Sequence, residues 1–293
     1  MTTAYNYFDL RRGIKSDRLD LIFPGWTGKD EHILVLSPHD DDGVIGAGYI
    51  MLAALAQGAR VSLAIFCNGC FGYSKVEDKD TICEVRRQET LEAYQILGLQ
   101  PADILRFEYP DYGTWPALGW NLPSGELGTT SRFLPVLREL KPTRLLLPNG
   151  YREHPDHEAV YRVGAYDGPQ AGDPILAELG RMAPIRSFLQ YSVWADFSPE
   201  DALVNGVSSN LRANLAVQVT RDVEELIETS IRKFRSQGQI IEHMVVTRAQ
   251  NRLKDEYGLE VYLSLDPRPR LDYAPYQALV ADISGGNLEK TTK

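Results

Sequence analysis

Ile33-Leu34-Val35-Leu36 runs into Ser37-Pro38-His39-Asp40-Asp41-Asp42-Gly43, and an apolar stretch then continues from Val44 to Ala56, with Gly58 just beyond it. The first four residues form an uninterrupted apolar run bounded by charge, the pattern of a strand covered on both faces. The stretch after the acids is long and apolar enough for a buried helix, and Gly58 stands where a helix end favours a left-handed residue. A strand feeding directly into a helix opens a βα unit, and the same alternation continues outward. Val61 to Phe66 reads as a second strand, ended by the Asn68-Gly69 turn. Ile82 to Leu97 is an amphipathic helix closed by Gly98, and Ile104 to Phe107 is a weaker strand. Arg132 to Leu140 is a helix stopped by Pro142, and Leu145-Leu146-Leu147 is a further buried strand. This alternation predicts an α/β chain with a mostly parallel sheet covered on both faces.

Later segments are less regular. Phe188 to Trp194 and Glu260 to Leu265 read as strands, and Val223, Leu226, Ile227, Ser230, Ile231 and Phe234 mark one face of a helix. The Gly- and Pro-rich segments 111–128, which also holds Trp115 and Trp120, and 166–180 read as long surface loops. No repeat or linker divides the chain, so one domain over 1–293 is expected, with a core of about 31–240 and a frayed polar tail at 285–293.

Composition narrows the function classes. The 293 residues are 43% hydrophobic and 24% charged, which excludes a disordered chain or a coiled-coil rod. A net charge of −9 opposes unaided binding to a phosphate backbone, so no nucleic-acid partner is expected. No run is apolar enough to span a bilayer, and the charged stretch 1–30 has no signal-peptide core. A cytoplasmic chain with reduced thiols, away from membranes, is the expectation. Cys67 and Cys70 form a CxxC spacing around a turn, without the second Cys pair that a structural zinc site requires.

Ligands of parallel sheets gather beyond the carboxyl ends of the strands, which directs attention to the residues after Leu36, Phe66 and Leu147. Three consecutive acids beside His39 are a local charge excess that a divalent cation would offset. The second such stretch, Pro148-Asn149-Gly150-Tyr151-Arg152-Glu153-His154-Pro155-Asp156-His157, follows another buried strand. Pro155 suits the first turn of a helix, and His154 and His157, three apart, can look toward one centre. Three of the five histidines thus fall in two loops opening on one crevice. Two histidines and one carboxylate suit zinc, iron(II) and related metals, and three protein donors leave a position for water. The chemistry expected of such a site is metal-assisted acyl transfer to water.

Pro38-His39-Asp40-Asp41-Asp42-Gly43 resembles the Pro-His-Pro-Asp-Asp-Glu signature of the PIG-L/LmbE-like metal-dependent de-N-acetylases, and His154-Pro155-Asp156-His157 resembles that family's His-x-Asp-His motif. Arg86-x-x-Glu89, Leu97-Gly98 and Lys233 to Ser236-Gln237 follow in the family's order. The resemblance implies a Rossmann-like three-layer αβα sandwich that deacetylates N-acetylated amino sugars or their conjugates. It implies metal ligation, usually of Zn2+, by His39, Asp42 and His157, with Asp41 as general base. His154 would stabilise the oxyanion and act as acid, Asp156 would orient a histidine, and Arg86 and Asp111 would contact the sugar. It also allows a homo-oligomer. Asp40 and Gly43 depart from the family's Pro and Glu, and the three-Asp run leaves open a register in which Asp40 or Asp41 is the ligand. Tyr112, Trp115 and Trp120 are further candidates for glycan contact. Two other readings stand beside this one. One is an amidase acting on a different amide, such as a thiol-sugar conjugate. The other is a non-enzymatic α/β binding module, disfavoured because no GxGxxG follows the first strand and the acidic loop there repels phosphate.

Overall fold

A computed structural model describes residues 4–254 and 256–284; the expected tail at 285–293 lies outside the described residues. The strands are β1 (Tyr5–Asp9), β2 (Ile14–Ser16), β3 (His32–Ser37), β4 (Arg60–Cys67), β5 (Ile104–Tyr109), β6 (Arg144–Pro148), β7 (Ser187–Tyr191), β8 (Leu215–Thr220) and β9 (Tyr257–Leu265). The helices are α1 (Asp42–Ala56), α2 (Ile82–Leu97), α3 (Thr129–Leu140), α4 (Pro155–Gln170), α5 (Pro199–Asn205), α6 (Arg221–Ile231), α7 (Gly238–Gln250) and α8 (Ala274–Ser284). Among the described residues, no helix is long and apolar enough to cross a membrane.

The strands form one nine-stranded sheet in the order β2-β1-β8-β9-β7-β6-β3-β4-β5. From β7 to β5 the neighbours are parallel. From β7 outward through β9, β8, β1 and β2 they are antiparallel. The sheet is therefore mixed, which corrects the expectation of a mostly parallel one. The reason lies in strands that were not foreseen: β1 and β2 form a hairpin, and β8 runs between β1 and β9. The expected loop at 166–180 is also shorter, because α4 continues to Gln170.

Side-chain alternation on the central strands explains the layers. Ile33 and Val35 join Val61, Leu63 and Ile65 in a core under α1, α2, α6 and α7. Leu34 and Leu36 join Ala64, Phe66, Leu145 and Leu147 in a second core under α3 and α4. A strand that must be apolar on both faces cannot alternate with polar residues, hence the unbroken run at Ile33–Leu36. Helix α1 is buried from Asp42 to Ala54. A Cβ at Gly46 would strike the Tyr191 ring and come to 2.8 Å from the Ser192 carbonyl oxygen, so only glycine admits β7 there.

The topology reverses at β3. The chain runs from β3 to β4 and β5 on one side, then returns to place β6 and β7 on the other. The crevice between the carboxyl ends of β3 and β6 is where such sheets bind ligands.

On α4, Asp167 is buried and accepts a hydrogen bond from the Thr130 hydroxyl at 3.2 Å. Burial, only partly opposed by that bond, raises its pKa to about 6. The native state then holds this proton longer than the unfolded chain, so stability falls as pH rises from about 4 to 6. Asp167→Asn should add about 2–3 kcal/mol at neutral pH, the gain shrinking on acidification. Urea unfolding at neutral and mildly acidic pH measures it, and a variant no more stable at neutral pH contradicts this account.

Candidate metal centre and active-site pocket

The loop after β3 and the start of α4 meet in a pocket of about 350 Å³. Its floor carries His39, Asp42 and His157, whose ligand atoms lie within 4.8 Å of one another. Asp42 Oδ2 lies 3.1 Å from His39 Nδ1 and 3.1 Å from His157 Nε2. It also accepts the His39 backbone N–H at 2.8 Å. Burial opposes charge on His157, but Asp42 and Glu153 outweigh it and lift its pKa to about 9. The same opposition, resolved by Asp156 and Asp42, raises His39 well above the usual histidine range. Asp42 is held well below the usual carboxylate range, because the two histidines outweigh its burial. Two imidazoles locked on one carboxylate by a shared charge form the donor set that a divalent cation replaces protons in, so the residues fit the expected metal.

Both histidines are braced from behind, as metal-ligating imidazoles require. His157 Nδ1 lies 2.7 Å from Glu153 Oε2. His39 Nε2 lies 3.5 Å from Asp156 Oδ2. Asp156 is fully buried and accepts the Tyr112 N–H at 2.7 Å and the Thr114 N–H at 3.2 Å. Cys67 stands with Asp156 behind the His39 ring, and these three could also gather round an ion. Cys67 is completely buried, however, and both Asp156 oxygens already accept backbone N–H groups, so this trio reads as support for His39.

Asp41 lines the same pocket, and Arg86 Nη2 reaches its Oδ1 at 3.1 Å. Burial raises its carboxyl above the usual range, with Arg86 opposing and Asp42 adding to the effect. Asp40 points elsewhere. It is fully buried and accepts hydrogen bonds from Arg86 Nε at 3.0 Å, from Thr90 Oγ1 at 2.7 Å and from Arg106. The extra acid of the triple-Asp run is thus neutralised by two arginines away from the histidines. Gly43 has its own cause: a Cβ there would come within 2.8 Å of both Leu63 Cδ1 and the Tyr94 hydroxyl.

His154 caps α4, its Nδ1 accepting the Asp156 backbone N–H at 3.2 Å. Burial and the neighbouring His39 lower its pKa. Asp111 lines the pocket, but its two oxygens accept the N–H groups of Gly69 at 3.0 Å and Phe71 at 2.7 Å. Glu89 holds Ser236 through its N–H at 2.8 Å and its hydroxyl at 2.6 Å, joining α2 to the segment before α7. Tyr112 lines the pocket, while Trp115 packs under Arg162 at 5.1 Å and does not. His32 is buried between Ser62 and the Leu140 carbonyl, and His243 sits exposed on α7.

Glu153 and Trp194 were not singled out from the sequence. Glu153 Oε1 accepts the Ser192 hydroxyl and the N–H groups of Val193, Trp194 and Ala195 at 2.9–3.0 Å, while its other oxygen braces His157. Its signal was the four-residue spacing to His157 along the entry to α4. The cysteines differ from expectation: Cys70 pairs with Cys83 in a disulfide, with 4.7 Å between their Cα atoms, and Cys67 is the free one. The CxxC spacing does not pair because Cys67 ends β4 with its sulfur turned inward, 3.3 Å from the Thr114 hydroxyl.

Residues 34–166 match the family model described as PIG-L: GlcNAc-PI de-N-acetylase, which bears out the resemblance carried by the two motifs. The 1D-myo-inositol 2-acetamido-2-deoxy-alpha-D-glucopyranoside deacetylase 1 of Catenulispora acidiphila is 26% identical over 237 residues, 68% of this chain and 69% of that protein. The N,N'-diacetylchitobiose deacetylase of Pyrococcus horikoshii superposes with a TM-score of 0.60 at 17% identity, over 85% of this chain and 90% of that one. GalB, the 4-carboxy-2-hydroxymuconate hydratase of Pseudomonas putida KT2440, superposes with a TM-score of 0.55 at 18% identity, over 83% of this chain and all of that one. At these identities the solved structures show a common fold.

Proposed function

We propose that this chain, with its PIG-L-type segment at residues 34–166, is a metal-dependent amide hydrolase that removes the acetyl group from an N-acetylated amino sugar or sugar conjugate. The observation that carries the reading is the convergence of His39, Asp42 and His157 at one strand-end crevice inside that segment. Two relatives named as deacetylases of acetamido sugars support the substrate class. The hydratase of the same fold shows why fold alone does not choose the reaction, so the donor set bears the argument.

His39, Asp42 and His157 would hold the ion, with zinc the best match to two imidazoles and a carboxylate and iron(II) the next. When bound, the ion supplies the positive charge that polarises an amide carbonyl and acidifies water. Asp41 would take the proton from the attacking water; a carboxyl raised by burial is better matched to that task near neutral pH. Arg86 fixes the Asp41 carboxylate from one side. With Nδ1 of His154 accepting a backbone N–H, the neutral ring carries its proton on Nε2 and presents a donor for the developing oxyanion. Its lowered pKa favours that neutral donor over a histidinium. The proton held by Asp41 is then the one available to the departing amine, which narrows His154 from acid to oxyanion donor. Asp156 and Glu153 keep the two ligand rings from turning. The positions of Asp111's contacts make it a holder of the Gly69–Phe71 loop before it is a sugar contact.

Acetate release from N-acetylglucosamine and its glycosides tests the reading. Zinc-loaded protein should release acetate, chelator-stripped protein should not, and added zinc should restore the release. A loaded protein that deacetylates none of them rules the proposal out.

A further inference from the structure

The polar floor of the pocket is ringed by large apolar side chains that face water. Phe71 is 59% exposed, Tyr112 59%, Trp194 48% and Ile240 43%, and all four line the pocket. Exposed aromatics on loops are commonplace, but these three are fixed in place by the carboxylates of the site itself. Asp111 accepts the backbone N–H of Phe71, Asp156 that of Tyr112, and Glu153 that of Trp194. Tyr112 is held at a φ of 63°, a left-handed conformation that costs a side-chain-bearing residue energy and persists only where its surroundings impose it. Its ring lies 4.6 Å from that of His154 and 6.5 Å from that of Phe71, so the apolar rim is continuous with the reacting end. The Cys70–Cys83 disulfide ties the residue next to Phe71 to α2.

The rim offers ring faces, and two of its polar side chains are already engaged by the protein. Asp111 has both oxygens on backbone N–H groups, and the Gln237 side-chain nitrogen donates to the Gly72 carbonyl. A polyol next to the amino sugar would give up its hydration there for few polar partners, the Tyr112 hydroxyl and the Trp194 indole N–H, whereas an apolar group would gain burial against three rings. From this we infer that the substrate is an N-acetylamino-sugar glycoside whose aglycone is apolar, gripped by Phe71, Tyr112 and Trp194. The inference rests on the deacetylase reading for the sugar end and on the rim for the aglycone end. It separates this chain from its inositol-conjugate relative, whose aglycone is a polyol.

The test uses the zinc-loaded full chain with two substrates, N-acetylglucosamine and its phenyl glycoside, and follows acetate release. The phenyl glycoside should show a kcat/KM about tenfold higher, mostly through KM, as expected for stacking in a partly desolvated aromatic site. In Phe71→Ala/Trp194→Ala the ratio of the two kcat/KM values should fall to near one, and Trp194→Phe should restore most of it. A ratio near one in the parent, or an undiminished ratio in the double variant, overturns the inference. Calorimetry with glucosamine and phenyl glucosaminide separates the two layers of the reading. If neither acetylated sugar is cleaved, the deacetylase assignment falls; tighter binding of the phenyl compound then still supports the rim, and equal binding removes it.

Discussion

Asp41→Asn is expected to lower kcat by about a thousandfold while the protein keeps about one metal ion per chain. Asparagine has the shape of aspartate and can still accept the Arg86 hydrogen bond, 3.1 Å long in the parent, so the loop should stay in place. What it loses is the lone pair that takes a proton. Because the aspartate carboxyl is raised by burial, the parent's rate should fall on the acid side as this group protonates, and the variant should lack that limb. Rate against pH, with metal content by elemental analysis, measures both. A variant that arrives without metal would mean that the three-Asp run is read one residue out of register and Asp41 is a ligand.

His157→Ala should do the reverse and empty the site. It removes one of three donors and leaves the buried Glu153 and Asp42 without the group lying 2.7 and 3.1 Å from them. Metal content should drop below about a tenth of an ion per chain and activity should vanish with it. Thermal unfolding gives an independent readout. Excess zinc should raise the Tm of the parent, since a ligand bound only to the native state stabilises it, and should leave the variant unmoved. His154→Ala is the control: it should retain metal and lose rate, because its Nδ1 caps α4 rather than joining Asp42. A His157→Ala protein with full metal content and normal turnover would dismiss the proposed ligand set.

What could be read in advance was whatever local pattern encodes. Ile33–Leu36 announced a doubly covered strand, and α2 and the start of α4 fall where Gly98 and Pro155 put them. Strand direction is not a local property. The β8 run Leu215–Thr220 carries only a weak alternation, and its antiparallel pairing depends on β1 and β9, both remote in the chain. The helix α7 left a signal in Ile241, Met244 and Val245, spaced as one buried face but too brief to stand out. At the site, residue types pointed to histidines and acids that the fold does bring into one pocket, yet could not say which way each acid faced. Asp40 turns toward Thr90 and Arg106, which come from α2 and β5 and lie 50 and 66 residues away. The rim likewise depends on contacts remote in the chain, such as the Trp194 N–H on Glu153, 41 residues away.

Glu153 links two parts of the protein that a designer or natural selection would want to vary separately. One of its oxygens steadies His157, a ligand in the proposed metal site, and the other collects the amides of Val193, Trp194 and Ala195. Any insertion or deletion in that segment changes what the second oxygen holds and so reaches the ligand through a single carboxylate. New substrate preferences at this mouth are therefore cheapest to acquire by exchanging side chains at constant loop length. Grafting a longer loop here would be felt first as weaker metal retention, before any change in what the enzyme accepts.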